Sequence, residues 1–400
     1  MTTPRSTTGA FDEVWHGGTI STQQWGSSGG RTDPSTRDLV AFPVFVFFLT
    51  HLGLLVLTAL APNTLSSPNI AGNASALPHG DILRQLGDWS APWFRFDARW
   101  YVSVVQHGYH FGAADVANTN FMPVYPALIW LVRPLTGGSP WLAAWLVANA
   151  ACVAAFVALY RWALLRWTPA VAKRIVILFA AFPFSYFLMA PYAEPVFLLL
   201  AVAAFLFAEM DRPVLAVLAA SFATITRPVG LALVLGLAAF YLQRRRPRLA
   251  ASSLLALIPL IAYIGYVWTS FGHVGAVVIP HSPGWVTAHG SVLDTLRSQF
   301  STPLQPMDRV DAATAVLFLA SGIAVWRKFG WGFGVYVILG VLLPLAHGLV
   351  SMERYVVVLF PAMALWGSWE NRLGQALLFC VSLFGLVIFA VLFTRGYSVF

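Results

Sequence analysis

The sequence predicts an all-α protein that crosses a membrane many times. Hydrophobic residues make up 58% of the 400 positions and charged residues only 10%, whereas soluble domains are about 45–50% apolar. The mean hydropathy is +0.72. Apolar runs of about 20 residues, the length that crosses a hydrocarbon layer of about 30 Å, recur along the chain. These observations predict a polytopic helical membrane protein.

The charge distribution indicates a lipid bilayer as partner and no nucleic acid. The formal net charge of +8 and the pI near 9.8 would suggest nucleic acid in a soluble domain. Here the basic residues lie in short loops between apolar runs, where they set the topology. Only Lys173 and Lys328 are lysines among 24 basic residues, a bias typical of GC-rich bacterial genomes. We therefore expect a multi-pass protein of a bacterial plasma membrane.

The first 38 residues are rich in Ser, Thr and Gly and contain no apolar run. This composition predicts a disordered cytoplasmic tail and not a cleavable signal peptide. Residues 39–61 form the first predicted span. Arginines precede this span and none follows closely, so the chain should start in the cytoplasm. Residues 39–395 are expected to form a single transmembrane domain.

Residues 62–140 form a long outer loop, within which Phe96 to Gly108 has helical periodicity. One stripe is mostly aromatic or valine, and the opposite stripe carries Arg99 and His107. An amphipathic helix of this size is expected to lie in the membrane interface instead of spanning. Asp97 is an acid on the aromatic stripe near the helix start, so it should face the bundle and not open water.

The apolar stretch from Phe121 to Val132 is interrupted by Pro123 and Pro126. If it crossed the membrane, the basic loop 166–174 would lie outside, against the positive-inside tendency. We therefore expect it to be re-entrant or to lie at the surface, which is allowed where protein covers the backbone.

About eleven spans follow from this choice, and the basic loops between them then lie inside. After the first, they are expected at 141–164, 174–190, 193–209, 213–226, 229–243, 249–268, 311–326, 331–349, 354–369 and 373–394. Residues 269–308 form the second large outer loop.

This topology gathers five ionisable residues from separate outer segments at one face. Such groups at the membrane boundary cost a few kcal/mol each and mark function by default. A carboxylate among aromatic rings has its charged form disfavoured, which suits a general base. Arginine forks suit a lipid-linked phosphate. The five residues are Asp97, His107, Glu194, Arg227 and Arg354.

Each of these residues also has a purely structural interpretation. Asp97 could cap a helix N-terminus, and Glu194 could be a first-turn acid favoured by the helix dipole. Arg227 and Arg354 could snorkel to the interface. His107 could be a packed interfacial histidine.

Metal binding is not supported by the sequence. Three loop histidines lie eight residues apart, a spacing without an established zinc pattern; they are His273, His281 and His289. Cys152 and Cys380 fall inside apolar runs, which supports neither a disulfide framework nor a metal cluster.

Six stretches in order resemble the signature of the PIG-V mannosyltransferases, which add the second mannose in GPI-anchor synthesis and have bacterial relatives. They are FDARWY at 96–101, HGY at 107–109, FMPVYP at 121–126, FPFSY leading to PYAE at 182–194, TRPVG at 226–230, and SMERY with FP at 351–361. The resemblance covers about residues 40–395, and its specificity lies in the ordered set. One departure is Glu353, where a small residue or proline would be expected before Arg354.

The resemblance implies a GT-C glycosyltransferase fold with its active site at the non-cytoplasmic face. The donor would be polyprenyl-phosphate-mannose, and the acceptor a lipid-linked or glycolipid hydroxyl. Asp97 matches the acid near the acceptor hydroxyl and would be the general base of an inverting transfer. The expected substrate-binding residues are Arg99, His107, Tyr125, Tyr192, Glu194, Arg227 and Arg354. No cofactor is expected; a divalent metal is possible but unsupported by the sequence.

Two other functions fit part of the pattern. A polytopic transporter or lipid flippase would also have about eleven spans in 400 residues, but would place its charges near the midplane and show two related halves. A GT-C enzyme that uses another prenyl-linked sugar, such as arabinose, differs only in its donor.

Overall fold

Helices account for all the regular secondary structure in the residues that the computed structural model describes, namely 36–61, 75–85, 89–111, 117–272, 306–346 and 351–397. Most of the predicted tail 1–38 and of the predicted outer loop 269–308, with its three histidines, lies outside the described residues. The first helix begins at Thr36, three residues before the predicted start, and includes Asp38 in its first turn, where the helix dipole favours an acid.

The N-terminal part contains one long helix and several short ones. They are α1 (Thr36–Leu60), α2 (Ile82–Gln85), a 3₁₀ helix (Ala91–Trp93), α3 (Ala98–His107), α4 (Val124–Val132) and a 3₁₀ helix (Arg133–Thr136). The predicted amphipathic helix is confirmed as α3, which buries Tyr101 and Val104 and exposes Arg99 and His107. Helix α4 has nine residues, or about 14 Å at 1.5 Å per residue, which is too short to cross.

The rest of the bundle follows in order. It comprises α5 (Pro140–Leu164), α6 (Pro169–Ala181), a 3₁₀ helix (Ser185–Leu188), α7 (Glu194–Glu209), α8 (Pro213–Thr224), α9 (Gly230–Gln243), α10 (Pro247–Ser253), a 3₁₀ helix (Leu254–Leu257), α11 (Ile258–Phe271), α12 (Pro306–Phe329), α13 (Trp331–Leu345), α14 (Met352–Val356), α15 (Phe360–Gly367) and α16 (Arg372–Thr394).

Within the described residues, five helices are long and apolar enough to cross a membrane. They are Arg37–Leu60, Pro140–Leu164, Pro247–Phe271, Met307–Phe329 and Arg372–Thr394. Helices α8, α9 and α13 are apolar but have only 12, 14 and 15 residues, or about 18–23 Å at 1.5 Å per residue. The protein is therefore helical and membrane-embedded, and the total of eleven spans stays a prediction.

Two of the predicted spans are broken. The one expected at 174–190 divides at Pro183 into α6 and the 3₁₀ helix Ser185–Leu188, and the one expected at 354–369 divides before Pro361 into α14 and α15. Proline lacks an N–H and disfavours helical backbone in the residue before it. All residues of the 3₁₀ helix Ser185–Leu188 are buried, so the irregular backbone is covered by protein, as a membrane interior requires.

Close backbone contacts hold α13 between α9 and α12. A Cβ atom on Gly332 would lie 2.5 Å from the Cβ of Phe240 and 2.9 Å from the carbonyl oxygen of Gly236. A Cβ on Gly334 would lie 2.5 Å from the Cβ of Trp326 in α12. Small residues at such contacts let helix backbones approach closely in membranes. The α12–α13 pair is thereby fixed directly before the segment that carries Arg354.

Acid–arginine pairs join helix ends on the side of the bundle away from Glu194, the first residue of α7. Arg166 hydrogen-bonds Glu209, the last residue of α7, and Arg246 pairs with Asp211 in the α7–α8 turn. Arg244 lies near Arg166, Arg246 and Glu209, so basic residues of two predicted cytoplasmic loops meet here. The two ends of α7 thus lie in different electrostatic surroundings.

Candidate functional site

Four charged residues from separate elements form one network. The Arg354 guanidinium donates through Nη1 to Asp97 Oδ2 at 2.5 Å and through Nε to Glu194 Oε1 at 2.7 Å. The same Glu194 oxygen lies 2.5 Å from Nη1 of Arg227. Two acids and two arginines therefore meet at one point with a formal charge of zero.

Breaks and helix ends position these four side chains. Asp97 directly precedes α3, and Glu194 opens α7, where the dipole favours an acid. Arg227 lies in the turn between α8 and α9, and Arg354 lies in the short helix α14. The turn at Arg227 and the break after α14 each precede a proline, so the proline-rich stretches of the sequence create the places where charged residues can enter the bundle.

The network is buried, with one partly open member. The exposed side-chain fraction is 0% for Glu194, 7% for Arg227, 10% for Arg354 and 15% for Asp97. Removing charges from water costs several kcal/mol per ion unless they are paired and hydrogen-bonded, and here all four are paired. Asp97 is the member most accessible to a ligand.

The network has unused hydrogen-bonding capacity. Neither Glu194 Oε2 nor Arg227 Nε makes a hydrogen bond to another residue that the structure describes, although both atoms are buried. Leaving such a group unsatisfied costs about 1–3 kcal/mol, and native proteins rarely tolerate this without a water molecule, an ion or a function. The site can therefore accept and donate hydrogen bonds to a polar ligand.

Aromatic rings flank both arginines. The Arg354 guanidinium lies 4.9 Å from the ring centre of Tyr192 and 5.8 Å from that of Phe187, and Arg227 lies 5.2 Å from Tyr355. Such cation–π contacts are worth about 0.5–2 kcal/mol each. The Tyr192 hydroxyl donates to the Arg95 carbonyl at 3.1 Å, which fixes the ring beneath Arg354. Tyr192 thus lies in the site, as predicted.

Tyr101 is a member of the site that sequence reasoning missed. Burial, followed by the nearby Glu194 carboxylate, raises the pKa of Tyr101 far above its usual value, so its hydroxyl stays a neutral donor. Its ring packs edge-on at 4.8 Å against Tyr125, whose hydroxyl donates to the Ala144 carbonyl at 2.8 Å. Tyr125 therefore fixes the position of the Tyr101 ring on the side that faces α5. The available signal was spacing, since Tyr101 lies four residues after Asp97 on one helix face.

Two other predicted site residues lie apart from the network. Arg99 is exposed and rests over the Trp100 ring at 4.9 Å. His107 is exposed at the last position of α3. Neither shares a hydrogen bond or ion pair with the four charged residues in the described part of the chain, and their roles in substrate binding stay predictions.

The purely structural interpretations fare differently. Asp97 holds the N-cap position of α3 but makes no capping hydrogen bond, because its carboxylate is turned to Arg354. Snorkelling is wrong for Arg227 and Arg354, which are buried against acids. The dipole interpretation of Glu194 is confirmed, since it lies in the first turn of α7, and it holds alongside the ion pairs.

The described part of the chain offers no obvious metal-binding site. No set of three His, Cys, Asp or Glu residues that could hold a metal occurs among the described residues. The expectation that no cofactor is needed stays a prediction.

Comparison with known proteins gives no family. The chain matches no protein-family model, and it matches no curated protein. The resemblance to the PIG-V mannosyltransferases therefore rests on the six ordered stretches alone and stays a prediction.

Proposed function

We propose that this protein is a membrane-embedded glycosyltransferase that transfers mannose from polyprenyl-phosphate-mannose to a hydroxyl of a lipid-linked or glycolipid acceptor. The observation that carries the proposal is the buried Asp97–Arg354–Glu194–Arg227 network with its two unsatisfied atoms. The reaction needs a carboxylate to deprotonate the acceptor hydroxyl and positive charge to stabilise the departing phosphate. The network supplies both groups.

Asp97 is the general base in this proposal. Its Oδ2 is held by Arg354, no other hydrogen bond to the carboxylate occurs among the described residues, and the side chain is partly open. The carboxylate takes the proton of the acceptor hydroxyl while the hydroxyl oxygen attacks the anomeric carbon of a β-linked mannosyl phospholipid. The bond between that carbon and the phosphate oxygen breaks, and polyprenyl phosphate leaves with the electron pair. The anomeric configuration is inverted.

Arg227 is the phosphate-binding arginine that the geometry favours. Arg354 uses two edges of its guanidinium, because Nη1 bonds Asp97 and Nε bonds Glu194. Arg227 uses only Nη1, and its Nε has no partner in the described residues. The Nε–H of Arg227 is thus left to bind a ligand, and the fork that a guanidinium forms with Nε and the neighbouring Nη2 matches two phosphate oxygens. Arg354 then orients Asp97 and adds positive charge near the leaving group.

The proposed location is a bacterial plasma membrane with the active site on the outer face. The basic turns lie at the end of α7 that carries Glu209, and the network lies at the end that carries Glu194. Cytoplasmic loops of membrane proteins are enriched in Lys and Arg, which supports an outward-facing network. The donor would reach it from within the bilayer and the acceptor from the outer leaflet.

The test is mannose transfer in membranes or proteoliposomes from radiolabelled polyprenyl-phosphate-mannose to glycolipid acceptors. Asp97→Asn should lower the rate about 10²–10⁴-fold, the usual contribution of a general base, with unchanged expression. Glu370→Gln, which alters an exposed acid, is the control. Full activity of Asp97→Asn would show that Asp97 is not the general base.

The same assay separates the competing functions. Transfer from a prenyl-linked arabinose but not from the mannose donor would show that the donor was assigned wrongly. If the donor is moved across the membrane but no glycoside forms, the protein is a transporter or flippase. Glycolipid profiles of a deletion strain would identify the acceptor, since the truncated acceptor should accumulate.

A further inference from the structure

The segment that carries Arg354 is anchored by an acid from another helix. Helix α14 follows Ser351, whose φ of +67° is in the left-handed region and is uncommon for a residue with a side chain. The Met352 N–H, at the start of α14, donates to Asp311 Oδ1 at 2.8 Å. Asp311 belongs to α12 and is 2% exposed. A carboxylate 41 positions away thus satisfies an open N–H of α14.

Glu353 is buried against the same acid. Its exposure is 0%, and no N–H or hydroxyl of another described residue donates to either side-chain oxygen. Because Asp311 accepts from the N–H of Met352, the residue directly before Glu353, the two buried carboxyl groups lie next to each other. A contact between two carboxyl groups can be a hydrogen bond only if one of them carries a proton, and two buried like charges in contact cannot both ionise.

We propose that Asp311 and Glu353 share one proton, and that this acid pair is a positioning device that holds α14 against α12 so that Arg354 bridges Asp97 and Glu194. The effect of the pair on Arg354 is tested by enzymatic activity, and that test alone rests on the proposed function. Glu353 and Arg354 are adjacent in α14, so the same short helix points one side chain at Asp311 and the other at the charged network.

The charged and titratable surroundings of the pair are compatible with a single retained proton. Asp308 lies nearby on α12, and Tyr186 faces both acids from the 3₁₀ helix Ser185–Leu188. From α13, Tyr336 donates its hydroxyl to the Val358 carbonyl at 2.9 Å. Arg354 carries the positive charge of α14, and it donates hydrogen bonds to Asp97 and Glu194.

The pair makes the protein sensitive to alkali. Burial, followed by contact with Asp311, raises the pKa of Glu353 from its ordinary 4.5 to about 10. The folded state therefore binds a proton that the unfolded state releases between these two values, and stability falls as pH rises through this window. Above it, two negative charges would face each other in a buried site, and α14 would move away from α12.

The first experiment detects the proton directly. Infrared spectra of the purified full-length protein in detergent at pH 7 should show a protonated carboxylic acid carbonyl band that is absent in Glu353→Gln. Glu370→Gln, at an exposed position, should retain the band. An identical acid band in the wild type and in Glu353→Gln would overturn the proposal.

The second experiment measures thermal stability between pH 7 and 10. The wild type and Glu370→Gln should lose stability over this range more steeply than Glu353→Gln, which donates a hydrogen bond to Asp311 at every pH. If Glu353→Gln fails to fold, Asp311→Asn is used instead. The side-chain amide of Asp311→Asn can accept a hydrogen bond from the Met352 N–H through its oxygen and donate one to the Glu353 carboxylate through its NH2 group. Parallel pH curves for the wild type and for the variant that folds would contradict the shared proton.

The third experiment connects the pair to the site. The rate of mannose transfer by the wild type should fall about tenfold per pH unit above the apparent pKa of the pair. Glu353→Gln should keep the transfer rate that it has at neutral pH up to a higher pH. Coincident alkaline limbs would refute the positioning role. If the wild type transfers no sugar from any donor, the proposed function fails, while the infrared and stability results still decide whether the proton is shared.

Discussion

Glu194→Gln is the sharpest test of the buried network, because it removes one charge without changing side-chain size. In the wild type, Glu194 Oε1 lies 2.7 Å from Nε of Arg354 and 2.5 Å from Nη1 of Arg227. The variant leaves two arginines, 10% and 7% exposed, with Asp97 as the only acid in the network. Removing one partner of a buried ion pair costs about 3–5 kcal/mol, of which the lost charge-assisted hydrogen bond from Arg354 accounts for about 1.5–3 kcal/mol.

The chain offers a matched control on the same helix. Glu209 is the last residue of α7, as Glu194 is the first, and it also pairs with an arginine, Arg166. The Arg166 side chain is 22% exposed and that of Glu209 is 8% exposed, so this pair is more open to water than the pairs of Glu194, and water screens its charges more. Glu209→Gln, which breaks one pair instead of two, should therefore cost less than Glu194→Gln, although the chemical change is identical.

Thermal unfolding in detergent measures the difference. An unfolding entropy of about 2.1 cal/mol/K per residue gives about 0.6 kcal/mol/K for the roughly 300 residues that the structure describes, so 3–5 kcal/mol corresponds to a Tm decrease of about 5–8 °C. Glu209→Gln should lower Tm by clearly less than Glu194→Gln, because it breaks one more exposed pair instead of two buried ones. Equal shifts for the two variants would show that Glu194 is not the buried counter-charge of Arg227 and Arg354.

Two further predictions concern the phosphate fork and the helix packing. Arg227→Lys keeps the charge beside Glu194 but loses the Nε–Nη2 edge, so KM for the polyprenyl-phosphate donor should rise on the order of tenfold; an unchanged KM would place the phosphate elsewhere. Gly332→Ala brings a Cβ to 2.5 Å from the Cβ of Phe240 and should destabilise the protein by about 1–3 kcal/mol in unfolding assays. Gly265→Ala is the control, because no atom lies within 4 Å of the added Cβ, and it should leave the stability unchanged. Similar stability of both variants would contradict the close contact between α9 and α13.

The charged network is better explained by function than by stability. A buried ion pair is often no more stable than well-packed apolar residues of the same volume. In this protein two acids and two arginines lie under aromatic rings, and two buried polar atoms have no partner among the described residues. Ionisable groups kept in such a place within a membrane protein mark a binding or catalytic site by default.

Several features of the fold were predictable because they depend on local patterns. The alternation of apolar and polar stripes after Asp97 predicted α3, and Pro123 marks the start of α4, which has nine residues. The breaks at Pro183 and Pro361 were missed, because hydropathy measures composition over a window and not backbone geometry. Both breaks lie beside segments that contact the site, through Phe187 and Arg354.

The amino-acid order by itself determined the membrane class, the amphipathic helix and the selection of Asp97, Glu194, Arg227 and Arg354, because hydrophobicity, helical period and loop charge are properties of neighbouring residues. Only the tertiary structure decided that these side chains bond one another. It also separated Arg99 and His107 from them, added Tyr101, and paired Glu353 with Asp311. These contacts join positions up to 257 apart in the chain, and such distances are set by the packing of helices, which no local pattern encodes.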